Sequence, residues 1–395
     1  MRNGEPMKVI HVVRALETGG LESLVLQSCA RMRSAHGLDA SVYALLPGDG
    51  LAQRPEHRDV PCVTVSRNGC QTIVGAAVRL ARLFRRERPH VVHVHNFFSH
   101  VRAAAAAKWA RVPVLVHTKH GAQYPTVWGS RRLAGAAYRL SDVLVAISED
   151  VRQGLMRTYR FAPGKVRLVV NGIDTERFGS VSKELVPGGR RVLGIEGRPL
   201  IGTVCRLSPE KGVPTLLEAF ARLAPSMPDA RLLIVGDGAE RAACQTRAQE
   251  LGVGDRTHFL GMRDDVAAIY PLLDIYVQPS YTEGISLTIL EACACGLPVI
   301  ATAVGGNPEI VAEGRSGRLV PPGNAQALAN AIQDTWADNG AAFAMGQAAR
   351  RRVVESFSLE RMVSDYVDLY WQVYSGKAGI VAPRHGKPSW LRKEG

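Results

Sequence analysis

The chain has 395 residues, of which 46% are hydrophobic, and this fits two globular domains with cores of ordinary size. Its formal net charge is +13, and no apolar run reaches the roughly 20 residues that a membrane-spanning helix requires. Residues 1–190 hold 28 Lys and Arg against 14 Asp and Glu, whereas the remainder is nearly neutral. A basic half fits an anionic lipid surface, a nucleic acid or a phosphorylated acceptor, and equally a surface that is only solvated.

The cysteines and the first residues bear on the cellular location. The seven cysteines are scattered without metal-ligand spacing. The opening segment MRNGEPMKVIHVV runs directly into a strand pattern, so we expect no secretory leader. Free thiols without an export signal predict a cytoplasmic protein.

Short β-branched runs alternate with longer amphipathic stretches, the pattern of parallel sheets with crossover helices. In the first half, strands are expected at residues 9–13, 40–44, 60–65, 91–94, 114–117, 143–147 and 166–169. A second series is expected at residues 200–204, 231–235, 257–260, 275–277, 298–301 and 317–320, with a helix at 213–223. The sequence therefore predicts an α/β protein with two doubly wound domains.

The boundary between these domains is expected in LVPGGRRVLGIEGRP, residues 185–199, which is rich in Gly and Pro and has no clear period. We accordingly predict domains at 1–190 and 191–375. Ligands of such sheets bind outside the carboxyl ends of the strands, so a shared ligand would lie in a cleft between the domains. An amphipathic helix at 359–374 could pack back on the first domain, and residues 376–395 are expected to form a flexible basic tail.

Chemically informative residues are densest in PSYTEGISLTILEACACGLPVIATAVGGNPEIV, residues 279–311. A glycine-containing loop at 283–286 precedes a predicted helix at 287–295, and a helix N-terminus suits a phosphate group. Glu283 lies in the loop and Glu291 two turns into the helix, so two carboxylates can hold sugar hydroxyls on either side of bound phosphates. A glutamate pair at this spacing is by itself more often surface decoration. The position of this pair between a strand and a helix favours a functional site.

The segment resembles the E-x7-E signature of retaining glycosyltransferases of family 4, which have the GT-B fold. Further segments are similar to that family in the same order: GTVCRLSPEKGV (202–213), LLIVGDGAER (232–241), HFLGMRDDVAAIY (258–270), LDIYVQPS (273–280) and SGRLVPPGNAQALANAI (316–332). The resemblance implies two Rossmann-like domains facing a central cleft. It also implies a hexosyltransferase of class EC 2.4 whose co-substrate is a UDP- or GDP-sugar, with no metal and no other cofactor.

The resemblance assigns roles to two cations and two carboxylates. Arg206 and Lys211 would reach the donor pyrophosphate and stabilise the charge that develops on the leaving nucleotide. Glu291 would bind the ribose hydroxyls, and Glu283 the hydroxyls of the donor sugar. The implied retention proceeds by front-face attack, in which the leaving phosphate takes the acceptor proton and Glu283 positions the sugar.

Backbone groups are expected to complete the donor site. The amides of Gly284, Ile285, Ser286 and Leu287 would lie near the donor, and Met262 and Arg263 would border the base through backbone atoms. In the first half, the turn RALETGGLE (14–22) places Gly19 and Gly20 where the family lets the backbone approach the donor phosphate. The G-x-G-x-x-G spacing of a dinucleotide site is absent, so NAD is not expected.

Two histidine clusters, HVHNFFSH (93–100) and HTKHG (117–121), lie at predicted strand ends. By resemblance, His120 would contact the transferred sugar near the reacting carbon. His95 is a weaker candidate, and His93 is not one. Because both alternate with Val92 and Val94, they are alternatively expected simply to line the crevice. Three histidines suggest a metal site, but no carboxylate or cysteine completes the ligand set.

The excess of basic residues in the first half of the chain bears on the identity of the acceptor. The predicted helix within 71–89 carries five arginines, and Tyr124, Trp128, Arg131 and Arg132 mix aromatic and basic groups. Such surfaces fit anionic lipid, or simply a solvated crossover helix. We expect a glycan or lipid-linked acceptor in exopolysaccharide or lipopolysaccharide synthesis, at the inner face of the cell membrane.

Three alternatives remain at this stage. An NDP-sugar epimerase and a catalytically silent nucleotide-sugar-binding module would both use the same fold. A nucleic-acid-binding protein would explain the basic charge, but no reader motif is present and the basic residues are dispersed, so we expect no nucleic acid partner.

Overall fold

The computed structural model describes residues 5–66, 72–121, 128–179 and 186–379. Contacts divide the chain into two compact units. Unit 1 comprises Met1–Asn171 and Leu359–Gly395, and unit 2 comprises Gly172–Ser358. The division falls before the boundary expected at residue 190.

Unit 1 contains a seven-stranded parallel sheet. Its strands are β1 (Lys8–Val13), β2 (Asp39–Ala44), β3 (Cys62–Thr64), β4 (Val91–His95), β5 (Val114–Lys119), β6 (Val143–Ala146) and β7 (Val166–Leu168). Its crossover helices are α1 (Gly20–His36), α2 (Ile73–Glu87), α3 (Phe97–Trp109), α4 (Trp128–Leu140) and α5 (Glu149–Tyr159). The strands lie in the order β3-β2-β1-β4-β5-β6-β7, so successive strands are added toward one edge from β1 to β3 and toward the other from β4 to β7. The change occurs between β1 and β4, which are central and buried.

Unit 2 repeats this plan with six parallel strands. They are β8 (Leu200–Val204), β9 (Arg231–Val235), β10 (Thr257–Gly261), β11 (Ile275–Gln278), β12 (Val299–Thr302) and β13 (Arg318–Val320). The helices are α6 (Thr175–Gly179), α7 (Val186–Val192), α8 (Val213–Leu223), α9 (Arg241–Glu250), α10 (Val266–Ile269), α11 (Leu287–Ala294), α12 (Asn307–Ile310), α13 (Ala325–Ala337) and α14 (Asn339–Ser356). The order β10-β9-β8-β11-β12-β13 reverses between β8 and β11. The α/β prediction is confirmed in both units.

The linker expected at 185–199 is wrong for the residues that the structure describes there. Residues 186–192 form α7, and Gly189 lies against Leu272, so that a Cβ at residue 189 would approach its side chain to 2.6 Å. Arg190 Nη2 forms an ion pair with the Asp274 carboxylate at 2.9 Å. These contacts fix the segment to unit 2 despite its Gly and Pro content.

The last helix, α15 (Leu359–Ala378), belongs to unit 1. Tyr370 Oη lies 2.6 Å from His93 Nδ1, and Tyr366 Oη lies 3.0 Å from Thr118 Oγ1. Residues 376–378 of the expected tail are therefore helical, and the part from residue 380 onward lies outside the described residues. Within the described ranges, no helix combines the length and apolar character needed to cross a bilayer.

Candidate active site

Glu283 lies in the loop between β11 and α11, and only 8% of its side chain is exposed. Its Oε1 accepts hydrogen bonds from Lys211 Nζ at 2.8 Å, Gln278 Nε2 at 3.0 Å and Ser280 Oγ at 2.7 Å. A cation and two neutral donors thus compensate the buried charge. No described residue forms a hydrogen bond with Oε2, so this oxygen remains available to a ligand hydroxyl.

The orientation of the Gln278 amide follows from its own contacts. Tyr276 Oη and Thr288 Oγ1 both donate to Gln278 Oε1, at 2.5 and 3.1 Å. Since two hydroxyl donors occupy the amide oxygen, its NH₂ group must face Ser280 and Glu283. Tyr276 of β11 and Thr288 of α11 therefore orient the Gln278 NH₂ group that donates to Glu283.

Lys211 reaches Glu283 because its own turn is locked to the loop after β11. A short 3-10 turn, Pro209–Lys211, ends at Gly212, whose φ of +64° favours glycine. A Cβ at residue 212 would lie 2.2 Å from the carbonyl oxygen of Pro279. Tyr281 N also donates to Glu210 O at 2.8 Å, so the two loops form one assembly.

The N-terminus of α11 begins directly after this loop. Ser286 is its N-cap, and Ser286 Oγ accepts from Ile289 N at 3.3 Å. Gly284, Ile285 and Ser286 are buried, and Leu287 opens the helix. The amides of the first turn have no partner inside the helix, so this end of α11 has the polarity that a phosphate requires.

Glu291 lies in the second turn of α11, where Tyr270 Oη donates to its Oε2 at 2.7 Å. Burial raises the pKa of Glu291 from 4.5 to about 7, although the Tyr270 hydrogen bond and the charge of Arg177 oppose the rise. Within the described part of the chain, Oε1 of this residue has no hydrogen bond. Each glutamate therefore keeps one carboxyl oxygen for a ligand.

The remaining candidates of unit 2 are more exposed. Arg206 follows β8, is exposed, and forms no ion pair with any residue that the structure describes. Met262 is 58% exposed, and the Arg263 guanidinium is held by both oxygens of Asp265, at 2.8 and 2.6 Å. Since the Arg263 side chain is occupied, the expectation that the 261–263 loop acts through backbone atoms remains compatible with this geometry.

Gly19, Gly20 and His120 belong to unit 1, whereas the other candidates belong to unit 2. Gly19 is the N-cap of α1, and Gly20 is the first residue of that helix. His120 follows β5 and is partly buried, with its Nε2 2.9 Å from His95 Nδ1.

His93 and His95 do not line a crevice, and that expectation is wrong. His93 is fully buried and His95 is 3% exposed, because β4 is a central strand with both faces covered. With His11 they bring ring nitrogens within 4.8 Å of one another, a spacing that could hold a metal ion. Both nitrogens of His93 and of His95 are already hydrogen-bonded, however, so an ion would have to displace those partners.

Sequence reasoning missed several supporting residues. Gln278 and Ser280 had no role assigned within LDIYVQPS, although a glutamine at the end of an otherwise apolar strand signals a buried polar partner. Tyr270 had none either. His11 could have been found from its alternation with Ile10 and Val12, but its pairing with His93 depends on the register of β1 against β4.

Comparison with known proteins gives two family models that cover different parts of the chain. The model described as "Glycosyl transferases group 1" matches residues 189–352, and "Glycosyltransferase Family 4" matches residues 18–177. N-acetyl-alpha-D-glucosaminyl L-malate synthase of Bacillus anthracis is 32% identical over 307 residues, which cover 75% of this chain and 78% of that protein. The UDP-Gal:alpha-D-GlcNAc-diphosphoundecaprenol alpha-1,3-galactosyltransferase of Escherichia coli is 27% identical, covering 74% and 78%.

A similar fold is found among solved structures. The Anabaena protein Alr3699/HepE, solved in complex with UDP and glucose, aligns with a TM-score of 0.83 and 23% identity. The alignment covers 92% of this chain and 99% of that one. At this level of identity the likeness concerns the fold.

Gly305 packs against the backbone of the Glu283 loop, and its substitution gives a first prediction. Its φ is +52°, and a Cβ there would lie 1.9 Å from the carbonyl oxygen of Glu283. Gly314 has a φ of +70°, and a Cβ there would meet nothing within 4 Å, so Gly314→Ala is a matched control. Both variants carry a strain of about 1 kcal/mol, and we expect Gly305→Ala to cost at least about 1 kcal/mol more because the loop must move.

Urea unfolding of the two variants and the wild type measures this difference. Equal losses of unfolding free energy in Gly305→Ala and Gly314→Ala would contradict the packing of Gly305 against the Glu283 backbone.

A second prediction follows from the pKa of Glu291. Because the folded chain holds a proton on this carboxyl up to about pH 7 and the unfolded chain only to about 4.5, folding stability falls as the pH rises through this window. Glu291→Gln keeps an acceptor for Tyr270 but has no charge to bury. We expect it to raise the unfolding free energy relative to wild type more at pH 8 than at pH 5.

Denaturant unfolding at the two pH values provides the measurement, and Glu250→Gln is the control because that carboxylate is 57% exposed. An effect of Glu291→Gln that does not change with pH would show that burial does not raise the Glu291 pKa.

Proposed function

We propose that this chain, which belongs to glycosyltransferase family 4 and has the GT-B fold, transfers a sugar from a nucleotide-sugar donor with retention of anomeric configuration. Its activity as a glycosyltransferase of class EC 2.4 follows from that membership. The observation that carries the finer proposal is the buried Glu283 carboxylate, held at 2.8 Å by Lys211 beside the N-terminus of α11.

The donor half is assembled from charges that match a nucleoside diphosphate. Arg206 is an exposed cation without an ion-pair partner among the described residues, and Lys211 lies at the Glu283 loop. Two phosphates would gain these cations and the amides at the start of α11. Glu291 Oε1 and Glu283 Oε2 would accept hydrogen bonds from ribose and sugar hydroxyls.

A UDP-sugar is the first donor to test. The Escherichia coli relative is named for UDP-galactose, and the Anabaena protein of the same fold was solved with UDP and glucose. A GDP-sugar remains the second choice, because the residues around the base offer mainly backbone groups.

The proposed reaction needs no side-chain nucleophile. Glu283 Oε1 accepts from three donors, so this carboxylate is suited to position the sugar rather than to attack it. The acceptor hydroxyl oxygen bonds to the anomeric carbon on the face from which the nucleotide departs. The bond from that carbon to the β-phosphate oxygen breaks, and the phosphate oxygen takes the hydroxyl proton. Arg206 and Lys211 stabilise the resulting charge.

We place the acceptor among glycans or lipid-linked sugars of cell-surface polysaccharide synthesis. The Escherichia coli relative is named for a diphosphoundecaprenol-linked acceptor, whereas the Bacillus anthracis relative is named for L-malate. A surface of α2 supports the lipid-linked choice. Ile73 and Val74 at its start are 42% and 67% exposed, and four arginines along the same helix are exposed: Arg79, Arg82, Arg85 and Arg86.

Exposed apolar and basic groups together suit the headgroup region of an anionic bilayer. We therefore propose peripheral association with the inner face of the cell membrane. Arg131 and Arg132 of α4 were expected to contribute as well; Tyr124 lies outside the described residues, and so does the side chain of Trp128.

The donor site gives a third prediction. Arg206→Ala, Lys211→Ala and Glu283→Ala should each reduce transfer from a UDP-sugar by at least about a hundredfold, since each removes a charge next to the reacting groups. Arg247→Ala is the control, because Arg247 pairs with Glu218 and Glu250 on the surface of the same unit. Product formation with lipid-linked acceptors, together with thermal unfolding, measures activity and folding separately.

Near-wild-type turnover in folded Lys211→Ala or Glu283→Ala would refute the assignment. Analysis of the products also separates the alternatives, because an epimerase would yield an isomerised nucleotide sugar without an acceptor, and a silent binding module would yield no product.

The α2 surface gives a fourth prediction. Wild-type protein should co-sediment with vesicles containing phosphatidylglycerol at low salt, and less so at high salt. The double variant Arg82→Glu/Arg86→Glu should bind several-fold less, whereas the double variant Arg222→Glu/Arg247→Glu in unit 2 should bind as wild type. Failure of the wild type to bind anionic vesicles at low salt would count against membrane association.

A further inference from the structure

Three histidines of unit 1 form a continuous hydrogen-bonded row. His11 on β1 lies with its Nδ1 3.0 Å from His95 Nε2 on β4, and His95 Nδ1 lies 2.9 Å from His120 Nε2 beyond β5. The His11 and His95 rings are stacked, with an interplanar angle of 11°. The inner end of the row is buried, since His11 is 1% exposed and His95 3%.

The three rings are neutral at physiological pH. Burial lowers the pKa of His11 and of His120 to about 3, and Lys119 adds to the effect on His120. Burial and the neighbouring histidines also lower the pKa of His95 well below its usual value. A neutral imidazole carries one N–H donor and one bare nitrogen acceptor.

Neutrality makes the three tautomers interdependent. If His11 Nδ1 donates to His95 Nε2, then His95 must carry its hydrogen on Nδ1 and donate to His120 Nε2. His120 then carries its hydrogen on Nδ1. In the opposite direction, His120 Nε2 donates to His95, His95 Nε2 donates to His11 Nδ1, and the hydrogen of His11 resides on Nε2.

The buried end of the row decides between these directions. His11 Nε2 is buried and has no hydrogen-bond partner among the residues that the structure describes. The opposite direction would bury an N–H group there without an acceptor, which is rarer in proteins than an acceptor without a donor. The first direction leaves only a bare nitrogen in this position. It also puts the last N–H at His120 Nδ1, for which the described residues provide no hydrogen-bond partner.

We propose that His11 and His95 are positioning residues that hold His120 in the tautomer with hydrogen on Nδ1, so that His120 presents an N–H donor to an oxygen of the sugar substrate. This inference rests on the proposed function for the identity of the substrate, but the tautomer itself does not depend on it. His93 stands outside the row, because its nitrogens bond to Tyr370 and Thr118.

The tautomers can be observed directly in the full chain. Selective ¹⁵N labelling of its eleven histidines, with assignment by single substitutions, distinguishes Nδ1–H from Nε2–H through nitrogen shifts and couplings. We expect His95 and His120 both to carry hydrogen on Nδ1 at neutral pH. Hydrogen on Nε2 of either ring, or a doubly protonated ring, would overturn the proposal.

Substitution at His95 tests the effect on His120. An asparagine amide nitrogen occupies nearly the position of Nδ1, so His95→Asn keeps a donor for His120 Nε2, whereas His95→Leu fills the space without one. We expect His95→Leu to give a mixture of His120 tautomers and to lower kcat/KM for the UDP-sugar by roughly tenfold or more, because His120 is then no longer held in the orientation that the substrate requires.

His95→Asn should restore the single tautomer and most of the activity. His100→Asn is the control, since His100 is equally buried in unit 1 but bonds to Ser141. Equal losses of activity in His95→Leu and His95→Asn, with both folded, would mean that only packing matters and would overturn the positioning role.

These experiments test the proposed function and the tautomers of the histidine row independently. If wild-type protein transfers no sugar, the proposed function fails, while the tautomers in the same sample still support or refute the row. If transfer occurs but His120 has the Nε2–H tautomer, the row is refuted and the function stands.

Discussion

A carboxylate that is buried away from water requires cations or hydrogen-bond donors, and in unit 2 this constraint shapes the surroundings of Glu283. Its donors come from separate segments: Lys211 from the turn after β8, Gln278 from the end of β11, and Ser280 from the loop that follows. Gly212 lets the turn of Lys211 approach that loop closely, and Gly305 does the same for the segment after β12. The carboxylate is therefore the point around which these strand ends are arranged.

Unit 1 also buries polar side chains, but those of the histidine row are neutral. Burial lowers the pKa values of His11, His95 and His120 so that these rings are neutral, and the order of the row lies in the direction of its hydrogen bonds. A charged residue such as Glu283 can exchange one donor for another and still be stabilised. A neutral row has two directions only, and a nitrogen at one end that lacks a partner among the described residues selects between them. The two units thus prepare their polar groups by different means.

The sequence was sufficient wherever a structural feature is local. The helix expected at 213–223 has those bounds in the structure, and the strands of both sheets lie within a few residues of their predicted positions. It was insufficient where distant contacts decide. Gly and Pro in α7 suggested a linker, yet Leu272 and Asp274 hold that segment to unit 2. His11 and Gln278 likewise act through partners that only strand order and register reveal.

Unit 2 has its first and last residues side by side. Ile173 N donates to Phe357 O at 3.0 Å, and Ile173 and Ser358 form a parallel bridge, so the chain leaves unit 1 and returns to it at neighbouring points. During synthesis on the ribosome, unit 2 can be completed while unit 1 still lacks α15. Until then His93 and Thr118 have no tyrosine hydroxyls to bond. Residues 172–358 also constitute a segment that recombination could exchange between relatives as a single insertion.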